Sequence, residues 1–226
     1  MSIANVLLTP PRGYLMTDSL ITWHDLATGT HSPLGFGTKF VAMPHLGCVV
    51  TYIGTTRFAA AMTDALNKGV FPNGLDSICL DGQAVFQRVA ENLAEDDPDL
   101  ASDGTIIIVG WSQHHERMHA VLMRNDVPTV AGMGDFTPFD LPADRPSFSP
   151  SFLVLDERLP GRKEAPEAFL KRVSLEQQRL FDERDGPWGC GGDMLLAEVT
   201  RHRIEVRKVG EFPGKAHAAS LMKQAA

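Results

Sequence analysis

Only three cysteines, Cys48, Cys79 and Cys190, occur in 226 residues. Their number is odd and their spacing matches no metal-ligand pattern, so neither a disulfide framework nor a cysteine-built metal centre is expected; they read as reduced thiols of a cytosol. No window approaches the roughly 18 consecutive apolar residues of a membrane-spanning helix, and the start of the chain lacks the basic-then-apolar order of a secretory signal. Positive charge is scarce as well. The chain holds 21 Lys and Arg against 28 Asp and Glu, a net charge of −7, which argues against a nucleic-acid footprint and against attraction to anionic lipid. Internal repeats and low-complexity tracts are missing. The expectation is a cytoplasmic protein with neither nucleic acid nor membrane as a partner.

What is present is globular: 43% hydrophobic and 22% charged residues, at a length that suits a single domain over 1–226. Short apolar runs separated by Pro/Gly turns place a hairpin over 4–18 with the terminus at its edge. A short strand at 20–23, a Gly/Ser/Pro loop over 27–37 and a second hairpin (39–43 with 48–53) follow. Phe58, Met62 and Leu66 recur at helical spacing to about Lys68, with Thr55 or Thr56 as cap. A second helix is expected over 76–95 with Leu80, Val85, Val89 and Leu93 inward. A β pair (105–111 with 117–123) and a short strand at 129–131 come next. Residues 135–165 read as an irregular insertion. A third helix is expected over 166–183 with Phe169, Val173, Leu175 and Leu180 inward, then a last hairpin (194–200 with 203–209) and a tail that frays over 215–226. Strand runs interrupted by packed helices point to an α+β fold, two sheets between helical layers.

The candidate chemistry begins at Ser2. Removal of Met1 would give this serine a hydroxyl nucleophile and, in its own α-amine with an ordinary pKa of about 7.7–8.0, a base. Asp18 lies sixteen positions on, Lys39 opens the second hairpin, and Gly54 follows fifteen positions after Lys39 in Tyr52-Ile53-Gly54-Thr55-Thr56. Ala131-Gly132-Met133-Gly134 and Trp188-Gly189-Cys190-Gly191-Gly192-Asp193 mark two further glycine-rich stretches. Together these segments, in this order and spacing, resemble the proteasome β-subunit and bacterial proteasome-like peptidase family of N-terminal nucleophile hydrolases, over essentially the whole chain.

The resemblance implies a four-layer αββα sandwich with two antiparallel sheets between helical layers. It implies peptide or amide hydrolysis in which Ser2 attacks, Lys39 lowers the amine pKa and steadies the alkoxide, Asp18 orients Lys39, and the Gly54 N–H faces the oxyanion. It also implies a homo-oligomeric ring, a peptide or protein substrate and room for an ATPase partner, with no cofactor and no metal. Leu20 stands where the family's active members carry arginine. Met133 and Cys190 stand where they carry serines, and Pro187 falls where they place an acid, with Asp185 near that position but out of register. These departures leave a catalytically silent ring-forming scaffold as one alternative; a second, since other N-terminal nucleophile enzymes act so, is an acylase or amidase acting on a small molecule. Apart from the family pattern, His114, His115 and His119 sit at a turn and strand, where alternation places His115 and His119 on one face. Without a fourth clustered ligand they are expected to be solvated or interface histidines rather than a metal site. Cys190, in its glycine-crowded loop, has no His or Asn placed beside it to activate the thiol.

Overall fold

The computed structural model describes residues 3–25, 28, 30–54, 56–96, 105–124, 152–156, 164–185 and 189–225. Strands β1 (Ala4–Leu8) and β2 (Arg12–Asp18) form the first hairpin, and β3 (Leu20–Asp25) pairs with β4 (Thr30–Phe36). β5 (Phe40–Met43) and β6 (Cys48–Ile53) form the next, joined by a 3₁₀ turn at Pro44–Leu46. Helices α1 (Thr56–Lys68) and α2 (Leu75–Asp96) precede β7 (Thr105–Ser112) and β8 (Arg117–Arg124). β9 (Phe152–Asp156), α3 (Pro166–Asp185), β10 (Asp193–Thr200), β11 (Ile204–Glu211) and α4 (Lys215–Ala225) complete the order.

One sheet has the strand order β11-β10-β2-β1-β9 and the other β5-β6-β7-β8. Three apolar clusters divide the molecule into four layers. Phe58, Met62 and Leu66 of α1, with Ile78, Phe86 and Leu93 of α2, pack on Val50, Ile106, Ile108 and Val121. Between the sheets lie Ala4, Val6, Leu15, Val49, Ile107, Val109 and Ala197. On the far face Leu170, Val173 and Phe181 of α3 cover Leu7, Met16 and Leu196. The α+β, four-layer αββα sandwich expected above is the fold observed. β1 shows no alternation because it is buried on both faces; its one polar residue, Asn5, is buried with the rest.

Several local expectations are corrected. β1 is not an edge, because β9 pairs with it in parallel from Ala4↔Phe152 to Leu8↔Asp156. The sheet is therefore mixed at that one ladder, and the stretch read as an irregular insertion contains a strand. The Gly/Ser/Pro loop over 27–37 is largely β4, in which Pro33 and Gly35 are tolerated because the ribbon is only two strands wide. Leu80 is 82% exposed. Val89 and Leu93 are buried as expected, and the rest of the α2 stripe runs through Leu75, Ile78, Gly82 and Phe86, with Gly82 close to Met123. Leu175 is exposed too, since α3 turns Leu170, Val173, Ser174, Gln177 and Phe181 inward. The tail is helix α4, anchored by Ala218 and packed on β4. The strand expected at 129–131 lies outside the described residues.

The two polar members of the α3 stripe are satisfied by β1. Asn5 donates from Nδ2 to Ser174 Oγ (2.9 Å) and to Gln177 Oε1 (2.6 Å), and Gln177 Nε2 donates back to Asn5 Oδ1 (3.0 Å), all fully buried. Removing one partner strands the other away from water. Gln177→Ala should therefore cost about 1–3 kcal/mol in urea denaturation, and Gln177→Ala in an Asn5→Ala background should cost clearly less than in the parent; equal costs in both backgrounds would remove the network as the cause.

Candidate active site

Asp18 ends β2 with no solvent exposure, and its carboxylate accepts four hydrogen bonds from three donors. Lys39 Nζ lies 2.9 Å from both Oδ1 and Oδ2. The Ile3 N–H donates to Oδ1 at 3.0 Å, and the Gly191 N–H donates to Oδ2 at 3.0 Å. The Lys39 side chain is 7% exposed. A buried ion pair of this kind persists only where further hydrogen bonds offset the loss of hydration, and the two backbone amides supply them.

The chain between the two charges closes on itself. β3 and β4 zip from Asp25↔Thr30 back to Leu20↔Phe36, and Gly37 N donates to Ser19 O at 2.8 Å. Lys39 is thus delivered next to Asp18 although twenty residues intervene. Thr51 Oγ1 then donates to the Lys39 carbonyl at 2.6 Å, fixing the start of β5 against β6. On the other side, Gly191 O accepts from the Ser19 and Leu20 amides at 3.0 Å each, and Asp193 N donates to Ser19 Oγ at 2.7 Å. Gly192 has φ +83°, and a Cβ there would meet Ser19 Oγ at 2.5 Å and the Phe36 ring at 2.8 Å, so this turn requires glycine.

Of the residues selected from sequence, Asp18 and Lys39 are therefore in direct contact. Gly54 follows β6 with φ +132°, at the same end of its sheet as Lys39 by the Phe40↔Thr51 register. Cys190 is buried beside this centre, and burial first, then the Asp18 charge, pushes its thiol well up, so it is held protonated. Asp185 is the last residue of α3; its side chain, Ser2 and Met133 lie outside the described residues. Sequence reasoning missed the Ile3 amide, Ser19 and Thr51. No side-chain pattern could have indicated the first, since a backbone N–H carries no sequence signature.

The histidines form a separate group at the opposite end of the β7–β8 ladder. His115 and His119 rings stack at 5.3 Å and 18°, and His114 meets His115 edge-on at 4.8 Å. Asp76, in the first turn of α2, accepts from the Gln113 and His114 amides at 2.8 and 3.0 Å. Near-parallel rings do not converge on one point, and no group of three ligands able to hold a metal occurs among the described residues. Nor is any described helix long and apolar enough to cross a membrane.

No family model and no curated protein matches this chain. Among solved structures, an Anbu (Gly-1) mutant from Hyphomicrobium sp. strain MC1 is similar at a TM-score of 0.51 and 10% identity, covering 99% of this chain and 93% of that one. Anbu (ancestral beta-subunit) from Yersinia bercovieri aligns at a TM-score of 0.49 and 8% identity, over 99% of this chain and 92% of that one. At such identity the likeness is one of fold: the chain has a proteasome-like fold.

Breaking the buried pair should be costly. Lys39→Met is expected to lower stability by about 3–5 kcal/mol in urea, and adding Asp18→Asn should recover part of that loss by removing the stranded charge; a cost near zero would mean that the pair is hydrated. The histidine group sets a pH dependence. Burial, then His115 and Arg117, hold His119 below the usual imidazole value of 6.5. The unfolded chain therefore binds the proton more readily, and stability falls as pH drops below 6.5, levelling off once the folded form is also protonated. His119→Gln should flatten this slope between pH 7.5 and 5 in denaturation series; an unchanged slope would point to carboxylates instead.

Proposed function

We propose that this chain is a peptide or amide hydrolase, one proteasome-like domain over 1–226, whose nucleophile is Ser2 after loss of Met1. The observation that carries this reading is the Ile3 amide, 3.0 Å from the same carboxylate that holds Lys39 Nζ at 2.9 Å. Ser2 is joined to that amide nitrogen by a single peptide bond, which tethers its hydroxyl and amine near a buried ammonium.

The chemistry then balances. A nearby ammonium disfavours protonation of the α-amine, leaving more of it free as base near neutral pH. The amine takes the Ser2 hydroxyl proton as Oγ bonds to the substrate carbonyl carbon. The Gly54 N–H donates to the resulting oxyanion, a contact whose loss in other hydrolases costs about 10²–10³ in rate. The C–N bond breaks, the leaving amine takes the proton, and water later cleaves the Ser2 ester. Asp18 keeps Lys39 charged and aimed. On the same reading the chain acts in the cytoplasm as a homo-oligomeric ring on peptide or protein substrates and can work with an ATPase.

A second reading is favoured by Cys190, whose buried, protonated thiol stands where the family carries a hydroxyl. A ring-forming scaffold without hydrolysis would tolerate that substitution. Intact-mass analysis with a β-lactone or epoxyketone separates the two. A chain lacking Met1 should gain one adduct at Ser2, and Ser2→Ala none; retention of Met1, or equal labelling of Ser2→Ala, would overturn the hydrolase, and a processed but unreactive chain would favour the scaffold.

A further inference from the structure

We propose that Lys215, the first residue of α4, is a positioning residue for the Asp18–Lys39 centre, acting on the pair through the turn at 191–193. Two successive glycines give that turn little shape of its own, since glycine visits the left-handed region as readily as the right-handed one. The aim of the Gly191 N–H at Asp18 is therefore set by what grips the turn from outside.

On one side the grip comes from Asp18, Ser19 and Leu20. On the other it comes from the junction of β11 and α4. The Phe212 N–H donates to Gly192 O at 2.8 Å. Lys215 Nζ donates to Asp193 Oδ1 at 2.7 Å and lies 5.7 Å from the centre of the Phe36 ring, the same ring that a Cβ on Gly192 would strike. One ammonium thus fastens both the residue that closes the turn and the ring that seats it. Asp193 in turn donates its own N–H to Ser19 Oγ at 2.7 Å, one residue from Asp18.

Glu211, at the end of β11, holds the same ammonium at 2.9 Å. Lys208 also pairs with Asp193 at 2.7 Å, but its side chain is 47% exposed against 23% for Lys215, so water screens that pair more. Lys215 is the cation that braces the turn. Its effect on catalysis rests on the hydrolase reading; its effect on the turn does not.

Two measurements on the full chain separate these effects. Hydrogen exchange reads the turn: in Lys215→Met the Gly191 amide should exchange at least tenfold faster while the amides of α1 keep their rates. Asp193→Asn should act alike, and Lys215→Met added to it should change little further. Lys208→Met should accelerate Gly191 less than twofold. Adduct formation at Ser2 by a β-lactone then reads the centre. Lys215→Met should slow it at least tenfold without lowering the final yield of one adduct, and Lys215→Arg, which keeps the charge, should restore most of the rate. An unchanged Gly191 amide in Lys215→Met, equal acceleration throughout α1, an equal effect of Lys208→Met, or full labelling speed with the turn loosened would each overturn the proposal. A parent chain that never labels would remove the hydrolase and leave the exchange result to decide for or against Lys215.

Discussion

The Asp18–Lys39 pair is the constraint around which the fold closes. Two opposite charges withdrawn from water are stable only if every lone pair and proton is met, and here the partners come from four separate segments. Lys39 arrives by way of the β3–β4 ribbon, the Ile3 amide from the approach to β1, and the Gly191 amide from the turn before β10. Thr51 holds the Lys39 backbone from β6. The pair therefore joins the two sheets at one end, and any shift of one sheet over the other would strand a charge.

That demand explains the glycines better than chain flexibility does. Gly191 and Gly192 permit two peptide groups to lie against Asp18, Ser19 and Leu20, where a side chain on Gly192 would collide with Ser19 and Phe36. Cys190, immediately before them, is buried by the same close approach. A thiol there fills space and contributes no ionised group, so the electrostatics of the centre are set by Asp18 and Lys39 with backbone dipoles.

How far the sequence disclosed this depends on the kind of signal. The layer architecture was readable because Phe58, Met62 and Leu66 keep helical spacing and the strands are bounded by turn residues. Asp18 and Lys39 were readable because their spacing within two hairpins resembles a known pattern. The buried stripe of α3 was misjudged because Ser174 and Gln177 look like solvent-facing residues until Asn5 is placed opposite them. β4 was hidden by Pro33 and Gly35, whose propensities oppose a strand that pairing nevertheless imposes. β9 was hidden inside a stretch rich in Pro, Asp and Ser, and only its partner β1 shows why Phe152–Asp156 extends. α4 lacks a run of large apolar residues, and the small Ala218 anchors it.

The place of β2 between β1 and β10 has a consequence for biosynthesis. The first hairpin is made well before its partners: its outer ladder waits for residues 193–200 and Asp18 waits for the amide of Gly191. Until then the aspartate stays hydrated, and closing so long a loop is slow. Assembly of the centre is thus deferred until residues 191–200 have been made, and a chain cut short before Gly191 carries both charges without the means to bury them.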